Sequence, residues 1–326
     1  MKPLVVIGYS EFKDIEVEAE VLAAVDAEVV QVPSVPEASA DLLARAAALM
    51  VSVQPVSAEL LDRMGQCRIV SRVGTGLDAI DIPAATARGI WVTNVPDYSI
   101  DEVSTHAITL LLALACRLPR LVNDTRQGIW DPKAAQPFPR MRGQVFGTLG
   151  FGRIARATIA KAQALGLKVL VFDPYVKPEQ IEAAGCRAVT WSTLLGEADF
   201  ISLHTPLTPE TRHILNDEAL ALVKPTAFVV NTARGALIDE AALLAAVQAG
   251  RLAGAALDVL GVEPPAPDYA LLHDDRILVT PHIAWYSEGA TAEVRVQGAD
   301  NVVRVLRGEP PRTPANQVNG QRPPSQ

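Results

Sequence analysis

Cysteine is scarce in this chain, with three among 326 residues. Cys67, Cys116 and Cys186 stand too far apart for a disulfide framework or for metal-ligand spacing, so a small stapled secreted fold is excluded and no metal is expected. Basic charge is not in excess either. The 29 Lys and Arg face 37 Asp and Glu, a formal charge of -8, which argues against electrostatic capture of nucleic acid or of an anionic membrane. Long apolar runs are missing, and the longest, from about Ala107 to Cys116, falls well short of a bilayer span. No signal-peptide pattern is visible, because Met1-Lys2-Pro3 leads directly into the strand-like run Leu4-Val5-Val6-Ile7. These absences point to a cytoplasmic protein without nucleic-acid or membrane partners.

Apolar side chains are plentiful: 49% of residues are hydrophobic against 20% charged, values of a folded globular protein. The length suits two domains of ordinary size. The N-terminal third alternates strand signals, near Leu4–Gly8, Glu28–Val32, Leu49–Val53, Arg68–Val73 and Ile90–Asn94, with helical ones. An Ala/Leu-rich helix is expected from Ser99 to about Leu118. It is hydrophobic round most of its circumference, which predicts burial, with subunit contact the preferred reading. His106 reads as a packing residue of that helix, and Arg126 as a surface or interface contact. A second strand series follows at Val145–Leu149, Val169–Phe172, Phe200–His204, Ala227–Asn231, Ala255–Leu257 and Ile277–Val279. One last helix, about Glu288–Leu306, has no strand of that series left to serve and is expected to cross back. The fold class is therefore α/β, with two doubly wound parallel-sheet domains. Residues 1–98 plus 288–316 form one, residues 99–287 are inserted into it with a hinge at the crossings, and 317–326 form a disordered tail rich in Pro and Gln.

The segment Gly150-Phe151-Gly152-Arg153-Ile154-Ala155 lies between an apolar strand signal and a helical pattern. The first glycine permits a tight turn, the second lets backbone approach a pyrophosphate, and a small third residue lets helix pack on strand. The helix N-terminus adds N–H groups and a positive dipole end. Gly150, Phe151, Gly152, Arg153 and Ile154 are thus candidates to hold a dinucleotide. The next strand ends at Asp173, roughly twenty residues on, where a carboxylate accepts ribose hydroxyls and repels a 2′-phosphate. NAD is the expected cofactor.

In an open parallel sheet, ligands bind beyond the carboxyl ends of the strands. His204, Asn231, Arg234, Asp258, Glu263 and His282 all follow strand signals of the second series. Arg234, Glu263 and His282 form a coherent set. Arginine offers a fork of donors to a carboxylate or 2-oxo group. Histidine exchanges a proton near neutrality, and a carboxylate beside it fixes its tautomer and favours its charged form. That is the equipment of a carbonyl reduction, with hydride to carbon and proton to oxygen.

Four segments, Gly150-Phe-Gly-Arg-Ile-Ala155, His204-Thr-Pro-Leu-Thr-Pro-Glu-Thr-Arg212, Asn231-Thr-Ala-Arg-Gly235 and Thr280-Pro-His-Ile283, resemble the D-isomer-specific 2-hydroxyacid dehydrogenases in order and spacing. The resemblance implies a Rossmann NAD-binding domain inserted into a flavodoxin-like substrate domain, and a homodimer. It implies that Arg234, Glu263 and His282 are catalytic and that Asp173 selects NAD. It further implies cofactor contacts from Thr75, His204, Thr205, Pro206, Thr211, Thr232, Ala233, Asp258, His282 and Ala284. Through Val73, Gly74, Thr75 and Gly76 it implies a loop whose backbone N–H groups hold the substrate carboxylate, as converging glycine-rich amides can.

One stretch departs from the family pattern. After His282 the chain reads Ile283-Ala284-Trp285-Tyr286-Ser287-Glu288, similar to the corepressor branch known as C-terminal-binding proteins. Trp285 is a candidate wall of the substrate pocket or an interface residue. The expected function is transfer of a hydride between NAD and a D-2-hydroxy acid or 2-oxo acid. An NAD(H)-sensing interaction protein and a formate or phosphite dehydrogenase are the alternatives.

Overall fold

The computed structural model describes residues 2–9, 12, 14–136 and 138–318. Two compact units emerge, Met1–Ser99 with Ser287–Gln326, and Ile100–Tyr286. The first runs β1 (Leu4–Gly8), α1 (Glu16–Leu22), β2 (Glu28–Gln31), α2 (Ala40–Arg45), β3 (Ala46–Val51), α3 (Ala58–Asp62), β4 (Ile69–Arg72), α4 (Ile82–Ala87) and β5 (Trp91–Thr93). Its strands pair in parallel in the order β2-β1-β3-β4-β5, that of flavodoxin-like sheets. Both faces are covered, so the central strands read as continuous apolar runs, and all five residues of β1 are buried. β3 starts at Ala46, earlier than the expected Leu49, because the alanines there pair with β1. Tertiary pairing overrides their helix propensity.

The second unit runs α5 (Ile100–Ala115), α6 (Leu118–Arg126), β6 (Val145–Leu149), α7 (Arg153–Ala164), β7 (Lys168–Phe172), α8 (Pro178–Glu182), β8 (Arg187–Ala188) and α9 (Trp191–Glu197). It continues through β9 (Phe200–Leu203), α10 (Asp217–Leu220), β10 (Phe228–Asn231), α11 (Glu240–Gln248), β11 (Gly254–Leu257) and β12 (Ile277–Val279). Seven parallel strands lie in the order β12-β11-β10-β9-β6-β7-β8. The winding direction reverses between β6 and β9, the switch point at which such sheets bind ligands.

The expected helix from Ser99 to Leu118 is corrected in two ways. It breaks at Arg117, which adopts a left-handed φ of 52°, and α6 starts anew with Pro119 in its first turn, bent 59° from α5. Its apolar face, with Val103, Ala107, Ile108, Leu111 and Leu114, is buried in its own unit against α7, β10 and β11. Subunit contact is therefore not what covers that face. Among the described residues no single helix is long and apolar enough to cross a membrane.

The last helix, α12 (Glu288–Leu306), starts at Ser287, whose hydroxyl accepts from the Ala290 N–H, and belongs to the first unit. Val294, Val302 and Val305 pack with Val5, Ile7, Met50 and Ile69. A buried ion pair ties this face together. Arg295 Nε and Nη2 donate to the two oxygens of Glu18 at 2.8 and 2.7 Å, and the Tyr9 hydroxyl donates to Glu18 at 2.7 Å. The guanidinium also lies 5.0 Å over the Phe12 ring. Of the expected tail, 317–318 carry no regular structure and 319–326 lie outside the described residues.

Arg295→Ala leaves the Glu18 carboxylate buried without its cation. It is expected to lower unfolding free energy by about 3–5 kcal/mol, read from the urea midpoint, with part of the loss recovered by adding Glu18→Gln. Equal midpoints for parent and single variant would show the pair dispensable.

Candidate active site

The glycine loop sits where β6 hands over to α7. Gly150 has φ 99°, and a Cβ there would lie 2.6 Å from the His204 carbonyl oxygen, so only glycine fits between β6 and the end of β9. Its N–H donates to Phe172 O, and the Thr148 hydroxyl donates to its carbonyl. Gly152 precedes the first turn of α7, and a Cβ there would meet open space. The first N–H groups of α7 lack intrahelical acceptors, as at any helix start, and this is where an anion is best received.

Asp173 stands at the end of β7, with one oxygen accepting from Phe151 N and the other from Tyr175 N, both at 2.9 Å. Each oxygen keeps a second lone pair for a ribose hydroxyl. Beyond β10, the Thr232 hydroxyl oxygen is buried and has no hydrogen-bond partner among the described residues. A buried hydroxyl without a partner is costly unless a ligand serves it. Open backbone at Gly152, the carboxylate of Asp173 and the orphaned Thr232 fit a dinucleotide.

Other expected cofactor residues have internal duties. Thr211 Oγ1 accepts from Thr208 N and donates to Pro206 O, bracing the turn after β9. His204 Nε2 lies 2.8 Å from Ser202 Oγ, and burial pushes the imidazole down to about 4, so the ring is neutral at pH 7.

The candidate acid–base residues come from three adjacent strands. Arg234 follows β10, Glu263 follows β11 and His282 follows β12. The Arg234 turn is held by Asn231, whose side chain donates to Arg234 O and accepts from Ala233 N. A Cβ on Gly235 would fall 2.0 Å from the Leu260 carbonyl carbon, so the Arg234 turn lies directly on the backbone that leads to Glu263. Glu263 Oε1 accepts from Leu260 N at 2.7 Å, and Oε2 lies 2.6 Å from His282 Nδ1. Burial pushes the Glu263 carboxyl up, but the bonds from His282 and Leu260 outweigh it and hold it below the usual carboxylate range. With Nδ1 committed to Glu263, Nε2 is the nitrogen left to exchange a proton.

His282 has φ 52°, a left-handed conformation that persists only where surroundings impose it. Its N–H donates to Asp258 O and Thr280 O. The Asp258 side chain, 1% exposed, accepts from Thr280 Oγ1 at 2.5 Å, Ile283 N at 3.0 Å and Ala284 N at 2.9 Å. Burial pushes this carboxyl up, yet donors from His106, Thr280, Ala284 and Ile283 bring it below its ordinary value. Its charged form therefore adds stability above the ordinary carboxylate pKa, lost as pH falls through the lowered folded value. His106, which the sequence offers only as a packing residue, has Nε2 3.1 Å from Thr280 Oγ1. Glu240, which carries no signal in the sequence, accepts from Gly261 N and from the Tyr269 hydroxyl, bracing the loop that carries Glu263. Trp285 is half-buried, its ring edge-on to Tyr286 with centroids 5.7 Å apart.

Val73, Gly74, Thr75 and Gly76 lie in the other unit, after β4. Val73 N donates to Val51 O and Gly74 N to Arg72 O, so both amides serve the unit's own backbone. The Arg72 guanidinium donates to Gly76 O at 3.1 Å and to Val73 O, and the Thr75 hydroxyl donates to Val95 O.

Residues 108–284 match the model of the D-isomer specific 2-hydroxyacid dehydrogenase, NAD binding domain. The chain is 38% identical over 261 residues to a D-3-phosphoglycerate dehydrogenase of Archaeoglobus fulgidus, covering 80% of this chain and 49% of that one. It thus spans about half the length of the phosphoglycerate dehydrogenases it matches. A glycerate dehydrogenase of Methylorubrum extorquens is 34% identical over 283 residues, 84% of this chain and 87% of that one. The crystal structure of a D-lactate dehydrogenase from Aquifex aeolicus, complexed with NAD and lactic acid, superposes with a TM-score of 0.87 at 29% identity, covering 94% and 96% of the two chains.

Gly150→Ala forces a methyl group onto the His204 carbonyl and a left-handed φ on alanine. Fluorescence titration is expected to show NADH affinity reduced at least about tenfold, a loss of roughly 1.4 kcal/mol. Unchanged affinity would refute the loop's part in cofactor binding.

Proposed function

The chain belongs to the D-isomer specific 2-hydroxyacid dehydrogenase family, and from that premise we propose that it interconverts a D-2-hydroxy acid and its 2-oxo acid. The observation that carries the reading is the His282–Glu263 pair at 2.6 Å, with Nε2 left to act, on the rim that bears the glycine loop. NADH, when bound, supplies the hydride that goes to C2, and NAD takes it back in the reverse direction. His282 gives the proton from Nε2 to the 2-oxo oxygen, so that acid, hydride and proton sum to the 2-hydroxy acid. Glu263 holds the proton at Nδ1 and orients the ring, so that Nε2 is the nitrogen that gives the proton. Arg234 binds the substrate's carboxylate or oxo oxygen through its fork of donors and steadies the growing negative charge. Trp285 is assigned to the wall that limits the substrate's side chain.

The test is NADH oxidation on a panel of 2-oxo acids, glyoxylate and hydroxypyruvate included, with NADPH in parallel. His282→Ala is expected to lower kcat by about 10²–10⁴-fold. Arg234→Ala is expected to lower kcat/KM by about 10²–10³-fold. An inert parent enzyme would falsify the reading, and NADH formation from formate or phosphite would move it to those anions.

We also propose a homodimer and a cytoplasmic location. Support for pairing lies on and after α6, where Leu118, Val122, Ile129 and Trp130 are exposed, Trp130 by 88%. Leu118→Glu combined with Trp130→Ser is expected to yield monomers in sedimentation equilibrium; a variant as dimeric as the parent would place the interface elsewhere.

A further inference from the structure

The loop that carries His282 is anchored from a helix the proposed chemistry does not use. His106 lies on α5, 174 residues from Thr280 in sequence, with Nε2 3.1 Å from Thr280 Oγ1 and 3.5 Å from Asp258 Oδ1. Thr280 has one hydroxyl proton, and the structure directs it to Asp258 Oδ1 at 2.5 Å. Thr280 Oγ1 can then only accept from His106, so Nε2 carries a hydrogen. The other donors to Asp258 are the N–H groups of Ile283 and Ala284, the two residues that follow His282. The support is rigid, because α5 packs along α7 and against β10 and β11. The His106 side chain is 22% exposed, so its bonds compete little with water.

We propose that His106 is a positioning residue. It fixes Thr280 and Asp258, and through them the backbone from Thr280 to Ala284, so that His282 presents Nε2 in one orientation. The kinetic consequence rests on the dehydrogenase reading; the structural one does not.

His106→Phe keeps a ring of similar size and removes the donor, whereas His106→Gln keeps an N–H group near the place of Nε2. His106→Phe is expected to lower kcat about 10–100-fold, as misplacing a reacting group by about 1 Å does. KM for NADH is expected to move less than about threefold, the pattern of a lost transition-state interaction, and His106→Gln to return kcat to within about threefold of the parent. Joined with Thr280→Val, His106→Phe is expected to lose no more than the worse single variant, because both act through one network. Amide hydrogen exchange supplies a readout that needs no substrate. Ile283 and Ala284 are expected to exchange at least about tenfold faster in His106→Phe but not in His106→Gln, with β6 and α7 unchanged.

Parent-like kcat and exchange in His106→Phe overturn the proposal. So does a His106→Gln variant as impaired as His106→Phe, or faster exchange across the whole unit, either of which marks plain packing. If the parent reduces no 2-oxo acid, the dehydrogenase reading fails and the exchange arm still decides the positioning.

Discussion

A carboxylate taken out of water has to find donors, and the arrangement of His282 and Glu263 follows from how Asp258 finds them. Its side chain is 1% exposed, and the groups that reach it are the Thr280 hydroxyl, the N–H groups of Ile283 and Ala284, and the His106 ring. The backbone that must supply those N–H groups is the backbone that carries His282. Satisfying Asp258 therefore holds His282 at its unfavourable φ of 52°. Glu263 then meets His282 Nδ1 at 2.6 Å, which leaves Nε2 as the ring nitrogen not committed to that pair.

The same economy of backbone governs the rest of the rim. Close approach at Gly150 puts β6 against the His204 carbonyl, and close approach at Gly235 puts the Arg234 turn against Leu260. Each glycine lets two loops from neighbouring strands share space that a side chain would fill. The first unit is held by a different device: Arg295 on α12 and Glu18 on α1 form a buried bidentate pair. Such a pair contributes little against an apolar substitute, but breaking it on one side is expensive. It commits the last helix to one partner face.

Much of this architecture is legible in the sequence. β1, β6, β12 and α12 begin and end where the apolar patterns do, because short apolar runs with turn residues around them mark strands and a much longer pattern marks a helix. Asp173, Arg234, Glu263 and His282 stand out because strand ends of a parallel sheet converge on one edge. The second helix α6 was not legible, because Arg117 and Pro119 end the apolar pattern and read as the close of one helix and not as the start of another. Nor was the early start of β3, whose alanines suit a helix until β1 pairs with them. Thr211 looks like a ligand contact in its segment, and its hydrogen bonds to Thr208 and Pro206 add a bracing duty that the segment alone does not show.

The sequence by itself determined the alternation of strands and helices apart from β8 and α6, the inserted arrangement and the chemical groups at each strand end. Those depend on local spacing and on residue type, which the chain carries along its length. Tertiary structure decided which groups touch: His106 with Thr280, Glu240 with Gly261, Glu18 with Arg295. Those partners are separated by long stretches of chain and share no periodicity. Their meeting depends on how buried polar atoms are satisfied, a condition that exists only once the sheets have packed.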